Sequence, residues 1–213
     1  KNYAAFASGN YHFGQGTTLF GGLRLINETL DYKVYRDPTN VLQPGDFPLG
    51  GSAGTPADID GDTSDTALVG DIGLRQQWNE DVMTYVRYAR GYKGRAFDVI
   101  FTAPQNTQYV DAEQSDSYEA GLKVQTANGR LQFNAAAFWT DYEDFQAQER
   151  DVAASTVVVA NAGKVSTKGI ELDATALLTD TTLLQGGIAY TDAKVDSFPF
   201  AQCYRGQTVT EGC

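Results

Sequence analysis

The chain has 213 residues, of which 27 are acidic and 16 basic, giving a formal net charge of −11, with 42% hydrophobic residues, 12% aromatic residues, 22 Gly, 6 Pro, 2 Cys and 1 His. The apolar content excludes wholesale disorder, and an acidic chain with scattered Lys and Arg repels nucleic-acid phosphates. A single His excludes a His-rich metal site, and no apolar run approaches the roughly 20 residues of a transmembrane helix. A membrane-spanning β-barrel stays open, because its strands show only alternation. There is no initiator Met and no signal peptide at Lys1, and Cys213 falls in what reads as a loop, so both ends are expected to be cuts in a longer chain.

Period-two patterning predicts eight strands, near 2–13, 17–36, 65–78, 82–94, 115–126, 131–148, 164–178 and 183–195. The first opens on Asn2-Tyr3-Ala4-Ala5-Phe6-Ala7. In the third, Leu68, Gly70, Ile72 and Leu74 alternate with Val69, Asp71, Gly73 and Arg75. In the fourth, Arg87 and Arg90 fall on opposite faces, so one must snorkel or a bulge near Gly91 must shift the register. The fifth sets Tyr118, Ala120, Leu122 and Val124 against Glu119, Gly121 and Lys123. The sixth sets Leu131, Phe133, Ala135, Ala137 and Trp139 against Gln132, Asn134, Ala136, Phe138 and Thr140. The seventh sets Ile170, Leu172, Ala174, Ala176 and Leu178 against Glu171, Asp173, Thr175 and Leu177. Val69, Phe138 and Leu177 break the rule.

The links between strands alternate in length. Short turns sit at Gly14-Gln15-Gly16, Asn79-Glu80-Asp81, Ala127-Asn128-Gly129-Arg130 and Thr179-Asp180-Thr181-Thr182, all with turn chemistry. Long links cover about 37–64, 95–114, 149–163 and 196–213, and hold all six prolines. Segregating short and long links by end is the habit of outer-membrane barrels, with tight periplasmic turns and long extracellular loops. A Greek-key sandwich has no reason to do so. The two-faced strands fit either a lipid-facing band around a polar lumen or the buried and wet faces of a soluble sandwich. Aromatics near strand ends (Trp78, Tyr85, Tyr88, Tyr92, Trp139, Tyr142, Tyr190) fit interfacial girdles or core packing.

Four stretches carry a family resemblance. Tyr85-Val86-Arg87-Tyr88-Ala89-Arg90-Gly91-Tyr92-Lys93 resembles the Y-x-x-Y-(S/A)-x-G-(F/Y)-(K/R) segment of TonB-dependent outer-membrane receptors. Glu113 to Lys123 resembles their P-E-x-x-x-x-Y-E-x-G-x-K strand, with Ala112 standing where the family usually has Pro. Ala136 to Gln146 is similar to A-x-F-x-x-x-Y-x-D-F-Q, and Asn161 to Asp173 to N-A-G-x-x-x-x-x-G-x-E-(L/F)-(D/E). All four occur in family order. The resemblance covers roughly 65–213 well, and 1–64 only as strand texture.

The resemblance implies an all-β fold, an antiparallel transmembrane β-barrel, with residues 1–213 as part of one barrel domain: about eight strands of roughly 22 around a plugged lumen. It implies a Gram-negative outer membrane, a bilayer and lipopolysaccharide around the wall, and a plug outside this stretch that contacts the TonB complex. It implies no enzyme. The function is uptake of a scarce nutrient such as a ferric siderophore, haem, cobalamin or oligosaccharide. A passive eight-stranded porin and a secreted carbohydrate-binding sandwich are the competing readings.

Three groups are candidate sites. Asp58, Asp60, Asp62 and Asp65 form an acidic loop that either binds calcium through hard oxygens or is simply solvated; it is not an EF-hand, because Val69 stands where the closing Glu would. No other cofactor is expected. Arg95, Phe97, Phe101 and Tyr109 in the link 95–114 are candidate ligand residues, or only pack the loop. Cys203 and Cys213 share one link and, outside the cytosol, are expected to pair, gaining on the order of 2–3 kcal/mol from loop closure; loop disulfides also occur in the resembled family. His12 is expected near the short-turn rim as an ordinary polar residue. No paired base or nucleophile marks a catalytic site.

Overall fold

The alternation becomes one eight-stranded antiparallel sheet. In a computed structural model, which describes residues 1–36, 57–98, 108–126, 128–151, 156–161 and 163–198, the sheet strands are β1 (Asn2–Gly14), β2 (Thr17–Arg36), β3 (Ala57–Gln77), β4 (Val82–Lys93), β7 (Glu113–Thr126), β8 (Leu131–Glu143), β11 (Lys164–Thr179) and β12 (Thr182–Ser197), adjacent in that order. Two small hairpins rise from the long-link end: β5 (Ala96–Asp98) with β6 (Gln108–Val110), and β9 (Gln146–Asp151) with β10 (Thr156–Asn161). Among the described residues no helix is long and apolar enough to cross a membrane. Each sheet strand, at 12 residues or more, reaches the 9–11 tilted residues that a bilayer-spanning strand needs.

Register assigns the faces, because directly paired residues point the same way. One row runs Tyr11, Leu19, Leu74, Val86, Ala120, Ala137, Ile170 and Tyr190 across all eight strands, with no polar member but the two tyrosines. The next row, on the opposite face, holds Asn10, Phe20, Gly73, Arg87, Glu119, Phe138, Gly169 and Thr191. The apolar face is bare: Val86 is 54% exposed, Ile170 53% and Ile188 74%. Among the described residues Val110 is the one buried hydrophobic side chain. A sandwich would cover this stripe with a second sheet, whereas a lipid-facing wall leaves it bare of protein.

The exceptions to strict alternation have a structural reason. Phe138 lies on the polar face directly opposite Gly169, where an added Cβ would come within 2.6 Å of the Phe138 ring. Tyr85 covers Gly121, Phe20 covers Gly73 and Tyr32 covers Gly61 in the same way. Laying a ring flat over a glycine on the neighbouring strand gives the ring an apolar bed without projecting it into the interior. Val69 stands beside Arg24, and Leu177 pairs with Leu183 next to the short turn.

The arginine conflict in β4 is resolved by partners rather than by a bulge. Pairing of β4 with β7 is continuous from Val82↔Val124 to Lys93↔Glu113. Arg87 is on the polar face, 3.2 Å from Asp71. Arg90 is on the apolar face, but beyond the aromatic row Tyr88, Tyr118 and Trp139; it donates twice to Asp116, at 3.0 Å each. Tyr88 and Trp139 therefore belong to an outer girdle, and Tyr190 also faces outward. Tyr85 and Tyr142 face inward, where interfacial girdles do not.

Other boundaries are corrected as well. Residues 57–64 are strand rather than loop, paired with β2 up to Arg36↔Ala57. The predicted strand 131–148 is two strands, β8 and β9, divided at Asp144, whose φ is 53°. The links 95–114 and 149–163 contain strands of their own.

The short turns match their residues. Gly14, Gln15 and Gly16 have φ of 83°, 50° and 82°, and Asn79 Oδ1 accepts from the backbone N–H of Asp81 and Val82, each at 2.9 Å. At Gly16 a Cβ would collide with the Gln77 carbonyl as well as strain the left-handed backbone. Gly16→Ala should cost about 1–3 kcal/mol. Urea titration of the refolded variant against wild type checks it; an unchanged midpoint would show that the turn does not need glycine.

A candidate ligand site at the long-link mouth

The hairpin of β2 and β3 continues past its neighbours. From Glu28↔Asp65 to Arg36↔Ala57 its ladder extends by roughly 25 Å at the usual rise per residue. On its inner face are Glu28, Asp65, Thr63 and Tyr32. The β5–β6 hairpin leans against that face. Phe97 packs tilted against Tyr32, ring centroids 4.3 Å apart and planes 50° apart, and edge-on against Tyr109, its direct partner in β6, at 4.9 Å and 66°. The result is a continuous aromatic cluster, Tyr32–Phe97–Tyr109, whose outer member Tyr109 is 58% exposed.

Polar groups fix the cluster from below. Arg95 donates to Thr63 Oγ1 at 3.3 Å and lies 3.8 Å from Asp65 and 3.9 Å from Asp111. Tyr92, above the outer aromatic row, donates its hydroxyl to Asp65 at 3.2 Å. Burial, then the charge of Asp65 and that hydrogen bond, pushes the Tyr92 phenol up to about 12, so it stays a neutral donor. Glu113 is buried, accepts the backbone N–H of Gln146 at 2.9 Å and sits 3.7 Å from Lys93 Nζ. In this described neighbourhood the carboxylates of Glu28, Asp65, Asp98, Asp111 and Glu113 outnumber the cations Lys93 and Arg95.

The structure therefore brings together Arg95, Phe97 and Tyr109 of the sequence-predicted ligand set; Phe101 lies outside the described residues. It adds Tyr32 and Thr63, which sequence reading missed because they come from the remote β2–β3 hairpin, together with Asp65, offered by the sequence only as a calcium candidate, and Tyr92, offered only as a girdle or core aromatic. The Asp60-Asp62-Asp65 run does not gather round a point. Asp62 pairs across the ladder with Asp31 and Asp60 with Lys33, whereas Asp65 pairs with Glu28 on the opposite face. Among the described residues no group of three or more His, Cys, Asp or Glu is placed to hold a metal ion; the Asp58 side chain, Cys203 and Cys213 lie outside them. His12 shares a 2.9 Å hydrogen bond with Thr18 at the short-turn end, as expected of a polar rim residue.

A family model described as the β-barrel of TonB-dependent receptor-like proteins matches residues 1–209. The chain belongs to this family. Among curated relatives, the pesticin receptors of Yersinia enterocolitica and Yersinia pestis are 28% identical over 174 residues, covering 82% of this chain and 23% of theirs. The ferrioxamine B receptor of Salmonella typhimurium is 26% identical over 117 residues, covering 55% of this chain and 15% of its own. The chain thus spans about a quarter or less of the relatives it matches. Among solved structures, the ferric yersiniabactin uptake receptor of Yersinia pestis superposes with a TM-score of 0.71 at 24% identity, over 92% of this chain and 28% of that one. A siderophore receptor from Acinetobacter baumannii gives 0.69 at 18%, over 97% and 27%. These likenesses establish the fold: the eight strands are one arc of a TonB-dependent receptor wall in a Gram-negative outer membrane. Its bare apolar face meets lipid, its long-link end is extracellular, and the aromatic cluster stands at the outer mouth.

Proposed function

We propose that residues 1–213 are part of the single barrel domain of an outer-membrane receptor that takes up a ferric siderophore or similar chelate with energy supplied through TonB. The aromatic cluster at the extracellular mouth, raised above a lipid-facing wall, is the observation that carries this reading. Clustered aromatic rings offer apolar surface to a bulky chelate, with tyrosine hydroxyls for polar contact. The name of one relative, a receptor for ferrioxamine B, points to the same class of cargo. In this reading a plug elsewhere in the protein makes the TonB contact, and the wall catalyses nothing. On the outer surface, Lys168 and Lys194 flank Asp192 at 3.8 and 3.6 Å beside the apolar band, and suit the phosphates of lipopolysaccharide. A Cys203–Cys213 disulfide would tie the last link.

Transport of radiolabelled iron by the full-length receptor in iron-starved cells tests the reading. With ferrioxamine B or ferric yersiniabactin as carrier, uptake should saturate and require TonB. Uptake that neither saturates nor requires TonB would instead indicate a passive pore.

A further inference from the structure

The extracellular hairpins β5–β6 and β9–β10 rise from different strand pairs, yet they are joined at the base and again part-way up. At the base, Gln146 and Asn161 are direct cross-strand partners closing β9–β10. Both side chains reach across to the other hairpin's corners. Gln146 Nε2 donates to the Gly94 carbonyl at 2.8 Å and to the Asp111 carbonyl at 2.9 Å. Asn161 Nδ2 donates to the Asp111 carbonyl at 3.0 Å and to the Asp144 carbonyl at 2.7 Å, while its Oδ1 accepts the Asp111 N–H at 2.8 Å. Two amides thereby satisfy backbone groups at the β4–β5, β6–β7 and β8–β9 corners, where ladder pairing has stopped. Two positions above the base in β10, Asp98 Oδ2 accepts the Val159 N–H at 3.0 Å. Val110, 1% exposed, is buried in β6 close to this junction.

Gly94 and Asp111 are the residues that bracket the β5–β6 hairpin, and Arg95 follows Gly94 directly. Whatever holds these two corners also sets where Phe97 and Tyr109 point. We propose that Gln146 and Asn161 are positioning residues that lock the two hairpins into one rigid lip, so that ligand contact on the Phe97–Tyr109 side is felt by β9–β10. The functional half of this rests on the mouth being the ligand site; the mechanical half does not. Neither residue need touch ligand. Each supplies N–H donors to carbonyls, which a carboxylate of the same size cannot do.

The test is hydrogen exchange on the full-length receptor, comparing wild type with Gln146→Glu, Asn161→Asp and the double variant. A heat-modifiable gel band confirms that the barrel has folded. Amides of β5 and β6 should exchange at least tenfold faster in the double variant, with β7 unchanged between residues 117 and 122 and β8 between their partners 135 and 140. In the same proteins, the Kd for ferrioxamine B should rise about tenfold while the saturated uptake rate stays within twofold, a split that general barrel damage would not produce. Unchanged β5–β6 exchange in the double variant overturns the proposal. So does a matching loss of protection in the barrel strands, or a loss of saturated rate without a change in Kd. If exchange responds as expected but no chelate binds even the wild type, the coupling stands and the transport reading fails.

Discussion

Leu172→Arg is expected to destabilise the folded receptor in lipid by about 2–4 kcal/mol, the cost measured for Arg near the midplane of a barrel's lipid face. Leu172 is mid-strand in β11, paired with Ala135 on β8 and Ile188 on β12, with the apolar row at Ile170 just above. All of these point the same way, and Ile188 is 74% exposed. A guanidinium there has no carboxylate beside it on its own face: Glu171 and Asp173 are on the other, and Asp192, level with Lys168, is two rows higher. Arg90 survives on that face only because it sits beyond the girdle and has Asp116 as partner. The control is Ala136→Lys, one position from the Leu172 level but facing the lumen opposite Glu171, which should change stability by less than about 0.5 kcal/mol. Urea unfolding of both variants in liposomes gives the comparison. Equal effects would mean that the two faces do not differ in environment, and the membrane assignment would fall.

The sheet was legible because lipid, lumen and strand geometry impose the same period of two. Six of the eight strands sit close to their predicted positions, and the assignment of Ile170, Ala120 and Ala137 to one face follows from alternation alone. Phe138 looked like an error, because pattern reading assigns a face by hydrophobicity and knows nothing of the glycine opposite. The upper part of β3 was read as loop for a related reason. Asp58, Asp60 and Asp62 in a run with Gly61 carry turn-like composition, yet this ladder stands outside the membrane, where strands can be polar on both faces. At the mouth, the link 95–114 supplies Arg95, Phe97 and Tyr109, which the fold places near one another. Its partners Tyr32 and Asp65, contributed by a different hairpin, became visible only once register was known.

The charge around the aromatic cluster leads to the second large effect, at the ligand. Phe97→Ala is expected to weaken chelate binding at least tenfold, because Phe97 is the central ring, touching both Tyr32 and Tyr109. Its loss removes two aromatic contacts of about 0.5–1.5 kcal/mol each and leaves the outer rings unsupported. Arg95 behaves differently. It is already engaged by Asp65, Asp111 and Thr63, in a neighbourhood where carboxylates are in excess. Its charge therefore offsets protein anions before it meets any ligand. Removing it in Arg95→Gln makes the mouth more negative, so a cationic chelate such as ferrioxamine B should bind within threefold of wild type or tighter. An anionic ferric catecholate should bind more weakly, and both changes should shrink as salt rises, since exposed charges are screened over about 10 Å at 0.1 M. Equilibrium titration of both chelates at low and high salt separates the cases. If Arg95→Gln abolishes binding of both chelates alike, Arg95 is itself a ligand contact and the rings are only its support.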